Sequence, residues 1–184
     1  MSEPTAAEAA LPALLADGSA PETPDGLLAR LAAAGIAART ARHPPLYTVE
    51  QSKALRGELP GLHVKNLFLR NQKGAMWLVT CLEDRQVDLK RLGELLNAGR
   101  FSFGSADRLM KYLGIRPGAV TPFAIVNDTG RQVTNVIDAA LTGPDLVNAH
   151  PLVNDQTTAL SGQDLVRFLA GLGRAPATLD FARL

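Results

Sequence analysis

Two apolar runs joined by a short turn constrain this chain most: 65-KNLFLRN-71 and 75-AMWLVTC-81 flank Gln72, Lys73 and Gly74. Apolar runs on either side of a short glycine-containing turn mark a β-hairpin. A lone hairpin is marginal in water, so the rest of the chain must cover it. The first run also poses a question. Leu67, Phe68 and Leu69 read as a buried strand, yet Lys65 and Asn66 sit at its mouth. An ammonium and an amide there belong either to a solvated strand end or to the floor of a site.

The covering elements flank the hairpin on both sides. Thr23 is a good N-cap and Pro24 suits the first position of a helix over 23–35. Asp25 favours its positive end, Leu27, Leu28 and Leu31 form its apolar face, and Gly35 stops it. A weakly alternating strand over 36–42 ends at His43-Pro44-Pro45, because proline lacks an N–H and constrains the residue before it. Thr48 and Gln51 have capping-box spacing for a helix over 49–56. After the hairpin, Asp88 caps a helix over 89–97, a short strand follows over 100–103, and Ser105 caps a helix over 106–114. The stretch 114-GIRPGAVTPF-123 is a constrained loop. Residues 123–127, 133–141, 145–150 and 156–161 read as strands. Ser161 caps a last helix over 162–173, where Leu165, Phe168, Leu169 and Leu172 fall at i, i+3, i+4 and i+7.

Strands run in hairpins and meanders with helices inserted, without the βαβα alternation of a doubly wound fold. The expected class is α+β: a mixed, mostly antiparallel curved sheet or partial barrel surrounded by helices. Residues 23–184 form one domain. Residues 1–22, rich in Ala, Pro, Glu and Ser, form a loosely ordered extension. A formal net charge of +1 gives no strong global field to draw in nucleic acid, so any basic surface must come from local clustering. The single cysteine, Cys81, rules out an internal disulfide and a Cys-rich metal site, and fits a reducing cytoplasm. The N-terminus lacks the pattern of a signal peptide, and no apolar run approaches the roughly 20 residues that span a bilayer. A soluble cytoplasmic protein with no membrane partner is the expectation.

Several chemistries are excluded by missing motifs: GxxxxGK[ST], GxGxxG, HExxH and GxSxG are all absent. The three histidines, His43, His63 and His150, are too scattered to suggest zinc, and neither a metal nor a cofactor is expected. The remaining candidates each have a plain reading beside a functional one. Lys65 can snorkel to water, or hold a carboxylate, phosphate or carbonyl as a point charge. The loop Gly118, Ala119, Val120, Thr121, Pro122 is a tight turn, or a set of backbone N–H groups that holds an oxyanion. His150, pinned by Pro151, is satisfied by a carbonyl or orients a ligand, and Asn154 staples a loop or joins it. Arg85, Lys90, Arg91, Arg100, Arg108, Lys111 and Arg116 face only Asp88, Glu94 and Asp107 over their stretch. They are solvated helix faces or a phosphate-contacting surface.

In their order and spacing, HPPLYTVEQS (43–52), KNLFLRN (65–71), FSFGSADRLMKYLGIRPGAVTPF (101–123), AHPLVNDQTT (149–158) and LSGQDLVRFL (160–169) resemble the YbaK/ProX family of aminoacyl-tRNA editing domains. Within it they look most like the freestanding prolyl-tRNA editing branch, the alanyl-tRNA(Pro) deacylases. The resemblance implies a barrel-like mixed sheet surrounded by helices. It also implies hydrolysis of the ester that joins a wrong amino acid to tRNA(Pro) mischarged by prolyl-tRNA synthetase. The mischarged acceptor end is then the expected partner, with the synthetase as a further candidate. The family's lysine corresponds to Lys65, its GxxxP loop to Gly118–Pro122, and its His-Pro-x-x-Asn segment to His150, Pro151 and Asn154. On this basis Lys65, Gly118 and His150 are expected to be catalytic. Asn66, Ala119, Val120, Thr121, Pro122 and Asn154 are expected to bind substrate. Arg85, Lys90, Arg91, Arg108 and Lys111 are the candidate contacts to tRNA phosphates. The alternatives are a deacylase for cysteinyl-tRNA(Pro) or another small amino acid, or a module of the same fold that binds nucleic acid without hydrolysis.

Overall fold

The computed structural model describes residues 14–45 and 59–183. The helix expected over 49–56 lies outside them. The strands are β1 (Arg39–Arg42), β2 (Leu62–Asn71), β3 (Met76–Leu82), β4 (Phe101–Phe103), β5 (Val133–Asp138), β6 (Leu146–Ala149), β7 (Gln156–Ser161) and β8 (Ala177–Leu179). They form an open mixed sheet in the order β1-β7-β6-β2-β3-β5-β8, with β4 also paired to β2. The pairs β1/β7, β6/β7, β2/β3 and β2/β4 are antiparallel, whereas β2/β6, β3/β5 and β5/β8 are parallel. Helices α1 (Pro24–Ala33), α2 (Leu89–Leu95), α3 (Ala106–Leu113) and α4 (Gly162–Gly171) surround it. Each starts at its expected cap: the side chains of Thr23, Asp88, Ser105 and Ser161 accept backbone N–H groups of the first turn.

The hairpin is closed by Asn71. Its N–H donates to the Ala75 carbonyl and its Oδ1 accepts the Ala75 N–H, both at 3.0 Å. Gly74 supplies the left-handed backbone of the turn at φ +85°. This closure sets the register that puts Lys65 opposite Cys81 and Asn66 opposite Thr80. Met76 through Cys81 are all buried, because β3 has a core on each face. Met76 and Leu78 join one cluster with Leu27, Leu31, Phe123, Leu165 and Phe168. Trp77, Val79 and Cys81 join another with Leu69, Leu92, Phe101, Val136 and Phe181. Trp77 and Phe101 meet edge to face at 5.0 Å, and Phe123 and Phe168 do so at 6.1 Å.

β2 belongs to two strand systems. Leu62 and His63 pair with Val147 and Asn148 of β6, while Leu69–Asn71 pair with β4. Between these two, the same edge of β2 has no strand neighbour among the described residues. The sheet therefore forks at 64–68, the stretch that holds Lys65 and Asn66.

Two strand expectations need correction. Residues 122–127 form a 3₁₀ helix, not a strand. Thr121 caps it by accepting the Phe123 N–H, Pro122 presets its first φ, and the Asn127 amide ties its end to the Leu113 carbonyl. A short apolar run buried all round carries no period by which to tell the two apart. The strand expected over 133–141 stops at Asp138, whose carboxylate caps Ala140 N–H and turns the chain into a 3₁₀ turn over Ala139–Leu141. β8 and the 3₁₀ turn Phe181–Arg183 had no sequence signal.

Of the N-terminal extension, residues 14–22 lie against the domain. Leu15 is buried, Ala16 N–H donates to the Lys111 carbonyl, and Glu22 N–H donates to Asn127 Oδ1. Among the described residues no helix is long and apolar enough to cross a membrane.

Candidate active site

Consecutive strand residues point to opposite faces, and Lys65 and Asn66 do so. Asn66 faces Thr80, whose hydroxyl donates to Asn66 Oδ1 at 2.7 Å. Its Nδ2 donates to the Val120 carbonyl at 2.9 Å. The amide thus fastens the loop 118–122 to the central strands. Gly118 has φ +90°, a conformation that favours glycine. A Cβ added there would lie 3.7 Å from Asn154 Nδ2, so the 150–155 segment flanks the loop's other side. Within the loop, the Ala119 N–H is used by the Arg116 carbonyl. Those of Gly118 and Val120 have no acceptor among the described residues. Thr121 and Pro122 are buried and serve the 3₁₀ helix that follows.

His150 is held from behind. A carbonyl only accepts, so Nδ1 carries the proton that goes to the Gln156 carbonyl at 2.9 Å. That leaves Nε2 as the lone-pair nitrogen of the neutral ring, without a partner among the described residues. Burial holds the His150 pKa below its ordinary value. The Gln156 carbonyl works against that shift, the nearby His43 reinforces it, and Asp155 opposes it. The His43 ring lies 6.3 Å away, centroid to centroid. His43 is fixed too, with Nδ1 on the Pro44 carbonyl and Nε2 on the Thr157 hydroxyl, each at 2.9 Å.

Lys65 lies on the face with Cys81, and its Nζ donates to the Arg85 carbonyl. Arg85 in turn pairs with the buried Asp138 at 3.1 Å. An ammonium has three N–H donors, so Lys65 keeps capacity for another acceptor. The Cys81 thiol is pushed up to about 11, first by burial and partly offset by Lys65, and is no nucleophile at neutral pH.

The expected residues therefore fall into groups. Asn66, Gly118–Pro122 and Asn154 come together, with His150 at the start of the Asn154 segment. Lys65 stands one residue from Asn66 along the fork but on the opposite face. Arg85 is committed to Asp138. Lys90 shares a surface groove with Arg100, Glu94 and Asn97, whereas Lys111 lines a separate hollow with Leu15, Asp17 and Thr129. Arg91 and Arg108 lie on the first turns of α2 and α3. Sequence reasoning assigned no role to Thr80, Asp138, His43 or Thr157. The hairpin turn alone could have placed Thr80 opposite Asn66, since counting outward from Asn71 and Ala75 pairs them. Among the described residues no cluster of three or more His, Cys, Asp or Glu could hold a metal ion.

The fork in the sheet, the loop 118–122 and the segment from His150 to Asn154 make up the candidate site. Comparison with known proteins gives the class. The model of the aminoacyl-tRNA editing domain matches residues 43–168, and the chain belongs to that family. It is 40% identical to the prolyl-tRNA editing protein ProX of Acetoanaerobium sticklandii over 71% of this chain and 80% of the relative. It is 37% identical to the prolyl-tRNA synthetase associated domain-containing protein 1 of Bos taurus over 83% of this chain and 91% of the relative. A crystal structure proposed to be a trans-editing enzyme for prolyl tRNA synthetase shares the fold, with a TM-score of 0.65 at 18% identity, over 85% of this chain and 94% of that one.

Proposed function

We propose that this chain is a trans-editing deacylase that hydrolyses the aminoacyl ester of mischarged tRNA(Pro), with alanyl-tRNA(Pro) as its substrate. The observation that carries this reading is the loop 118–122. Asn66 holds its Val120 carbonyl, Gly118 approaches Asn154, and the Gly118 and Val120 N–H groups have no acceptor among the described residues. The names of the relatives, which concern prolyl-tRNA, support the choice of tRNA.

An aminoacyl ester is already reactive, so positioning and oxyanion stabilisation can supply most of the catalysis. In the proposed reaction a water oxygen bonds to the ester carbonyl carbon while His150 Nε2 takes the water proton. The oxyanion that forms accepts hydrogen bonds from the Gly118 and Val120 N–H groups. The bond to the ribose oxygen then breaks, and that oxygen takes the proton back from His150. Free amino acid and an intact tRNA 3′ end are released. Lys65, at the rim of the fork, holds the terminal phosphate. Lys90, Arg91, Arg108 and Lys111 contact acceptor-stem phosphates, and Arg85 acts through Lys65. In this reading the site spares prolyl-tRNA by excluding the larger side chain sterically. It discriminates poorly among smaller side chains, since one methylene is worth only about 1–3 kcal/mol.

The test is to incubate the purified protein with alanyl-, cysteinyl- and prolyl-tRNA(Pro) and follow ester loss beside Lys65→Ala. Loss of alanine alone, dependent on Lys65, is expected. Preferential loss of cysteine would change the substrate within the family. No loss from any of the three would overturn the catalytic reading in favour of a binding module.

A further inference from the structure

We propose that Thr80, a residue of the hydrophobic core, is a positioning residue that sets the geometry of the 118–122 loop through Asn66. This inference rests on the deacylase reading for its catalytic consequence, though not for the relay itself. Thr80 sits in the middle of β3, fully buried, between Val79 and Cys81. It is flanked across the sheet by Asn66 on β2 and Ile137 on β5. A hydroxyl at such a place costs free energy unless it is hydrogen-bonded, and valine would fill the same volume without that cost. The partner it has is the Asn66 amide oxygen at 2.7 Å.

The direction of the chain of bonds is forced. The Val120 carbonyl can only accept, so Asn66 must present its NH₂ to it. The amide oxygen then necessarily faces Thr80, and the Thr80 hydroxyl must donate. The Thr80 hydroxyl holds the oxygen end of the amide that the Val120 carbonyl has oriented, so the Asn66 side chain is restrained at both ends where it grips the loop. Without the hydroxyl, the buried amide oxygen loses its partner and the Asn66 side chain is no longer restrained against swinging away from the Val120 carbonyl. Downstream, the peptide plane between Val120 and Thr121 is pinned at one end by Asn66. At the other it is pinned by the cap that Thr121 Oγ1 makes with Phe123 N–H. The free N–H groups of Gly118 and Val120 lie immediately upstream of that plane. Tied to the loop on one side and to Thr80 on the other, Asn66 has the role of holding the loop in this proposal.

The test compares Thr80→Val, which keeps the shape, with Thr80→Ser, which keeps the hydroxyl. Thr80→Ala replaces Thr80→Val should the latter not fold. Two readouts are taken. The first is the carbonyl ¹³C shift of Val120 and the amide ¹⁵N shift of Thr121, which report the hydrogen bond to Val120 whether or not the protein is active. Both are expected to move in Thr80→Val and to return in Thr80→Ser. The second is deacylation of alanyl-tRNA(Pro). In Thr80→Val, kcat is expected to fall about tenfold with KM little changed, and Thr80→Ser is expected to recover it. Unchanged shifts in Thr80→Val would overturn the relay. Shifts that move with kcat unaltered would overturn its catalytic consequence, as would a Thr80→Ser variant as slow as Thr80→Val. If the unmodified protein deacylates none of the tRNAs, the proposed function fails, and the shifts still decide whether Thr80 anchors the loop.

Discussion

Arg174→Met is the perturbation whose cost the structure specifies best. The Arg174 guanidinium donates to Asp128 Oδ2 at 2.6 Å and to the Asp128 carbonyl at 2.8 Å, and its Nη2 also reaches the Val133 carbonyl. Both side chains are largely withdrawn from solvent, with 11% exposure for Arg174 and 2% for Asp128. Removing one member of a buried pair leaves the other charge uncompensated, at a cost of about 3–5 kcal/mol. The low end applies here, because the Asp128 carboxylate keeps the Gln132 and Val133 N–H groups at 2.8 and 2.9 Å. For a domain of this size a loss of about 3 kcal/mol lowers Tm by roughly 6–12 °C. Far-UV circular dichroism on heating measures it. Arg174→Lys, which keeps a positive charge beside Asp128, is expected to melt above Arg174→Met. An Arg174→Met variant within about 2 °C of the parent would refute the reasoning. So would an Arg174→Lys variant that melts lower than Arg174→Met.

Other expectations follow from the site and its surroundings. With His150 neutral and acting as base, kcat/KM should be full at neutral pH and fall as acidification protonates the ring. The fall should come below the usual histidine value, because burial lowers the His150 pKa. His150→Ala should remove that acid limb along with most of the rate, and a rate that rises on acidification would oppose the assignment. The Asp17 carboxyl is held down to about 2, chiefly by the Ser19 hydroxyl and N–H and then by the Thr129 hydroxyl. Its folded value lies below its unfolded one, so its contribution is present above about pH 4 and disappears as pH falls toward 2. A carboxyl ¹³C titration of Asp17 with a midpoint near its ordinary 3.8 would contradict this. Replacing Lys90 and Arg91 by Glu should weaken tRNA binding at low salt and make log K shallower against log salt by about 1–2. Unchanged binding would remove α2 from the tRNA surface.

The hairpin, four helices and their caps were legible because each rests on local chemistry: a polar side chain that accepts first-turn N–H groups, or a glycine at a turn. The 3₁₀ helix over 122–127 was not, because PFAIVN is buried on every side and shows neither period. The site was legible in part. Gly118, Asn66 and Asn154 converge on one loop. Lys65 and Arg85 required the three-dimensional fold, because Arg85 looks like one more surface cation until Asp138 arrives beside it from β5, 53 residues away. Thr80 was hidden differently: in MWLVTCL it reads as an ordinary β-branched core residue, and only its partner across the hairpin reveals the hydroxyl's use.

The fork in the sheet has a consequence for how this protein tolerates change. Lys65 and Asn66 reach opposite sides of one strand, so parity along β2 decides which side chain meets which set of partners. Substitutions nearby leave that parity alone. A single residue inserted or deleted between Leu62 and Lys65 would instead slide the segment by one against its neighbours and exchange the two faces. The ammonium would then be offered to Thr80 and the Val120 carbonyl, and the amide to the Arg85 carbonyl. Length variation is therefore expected in the stretches flanking this strand, and excluded from within it.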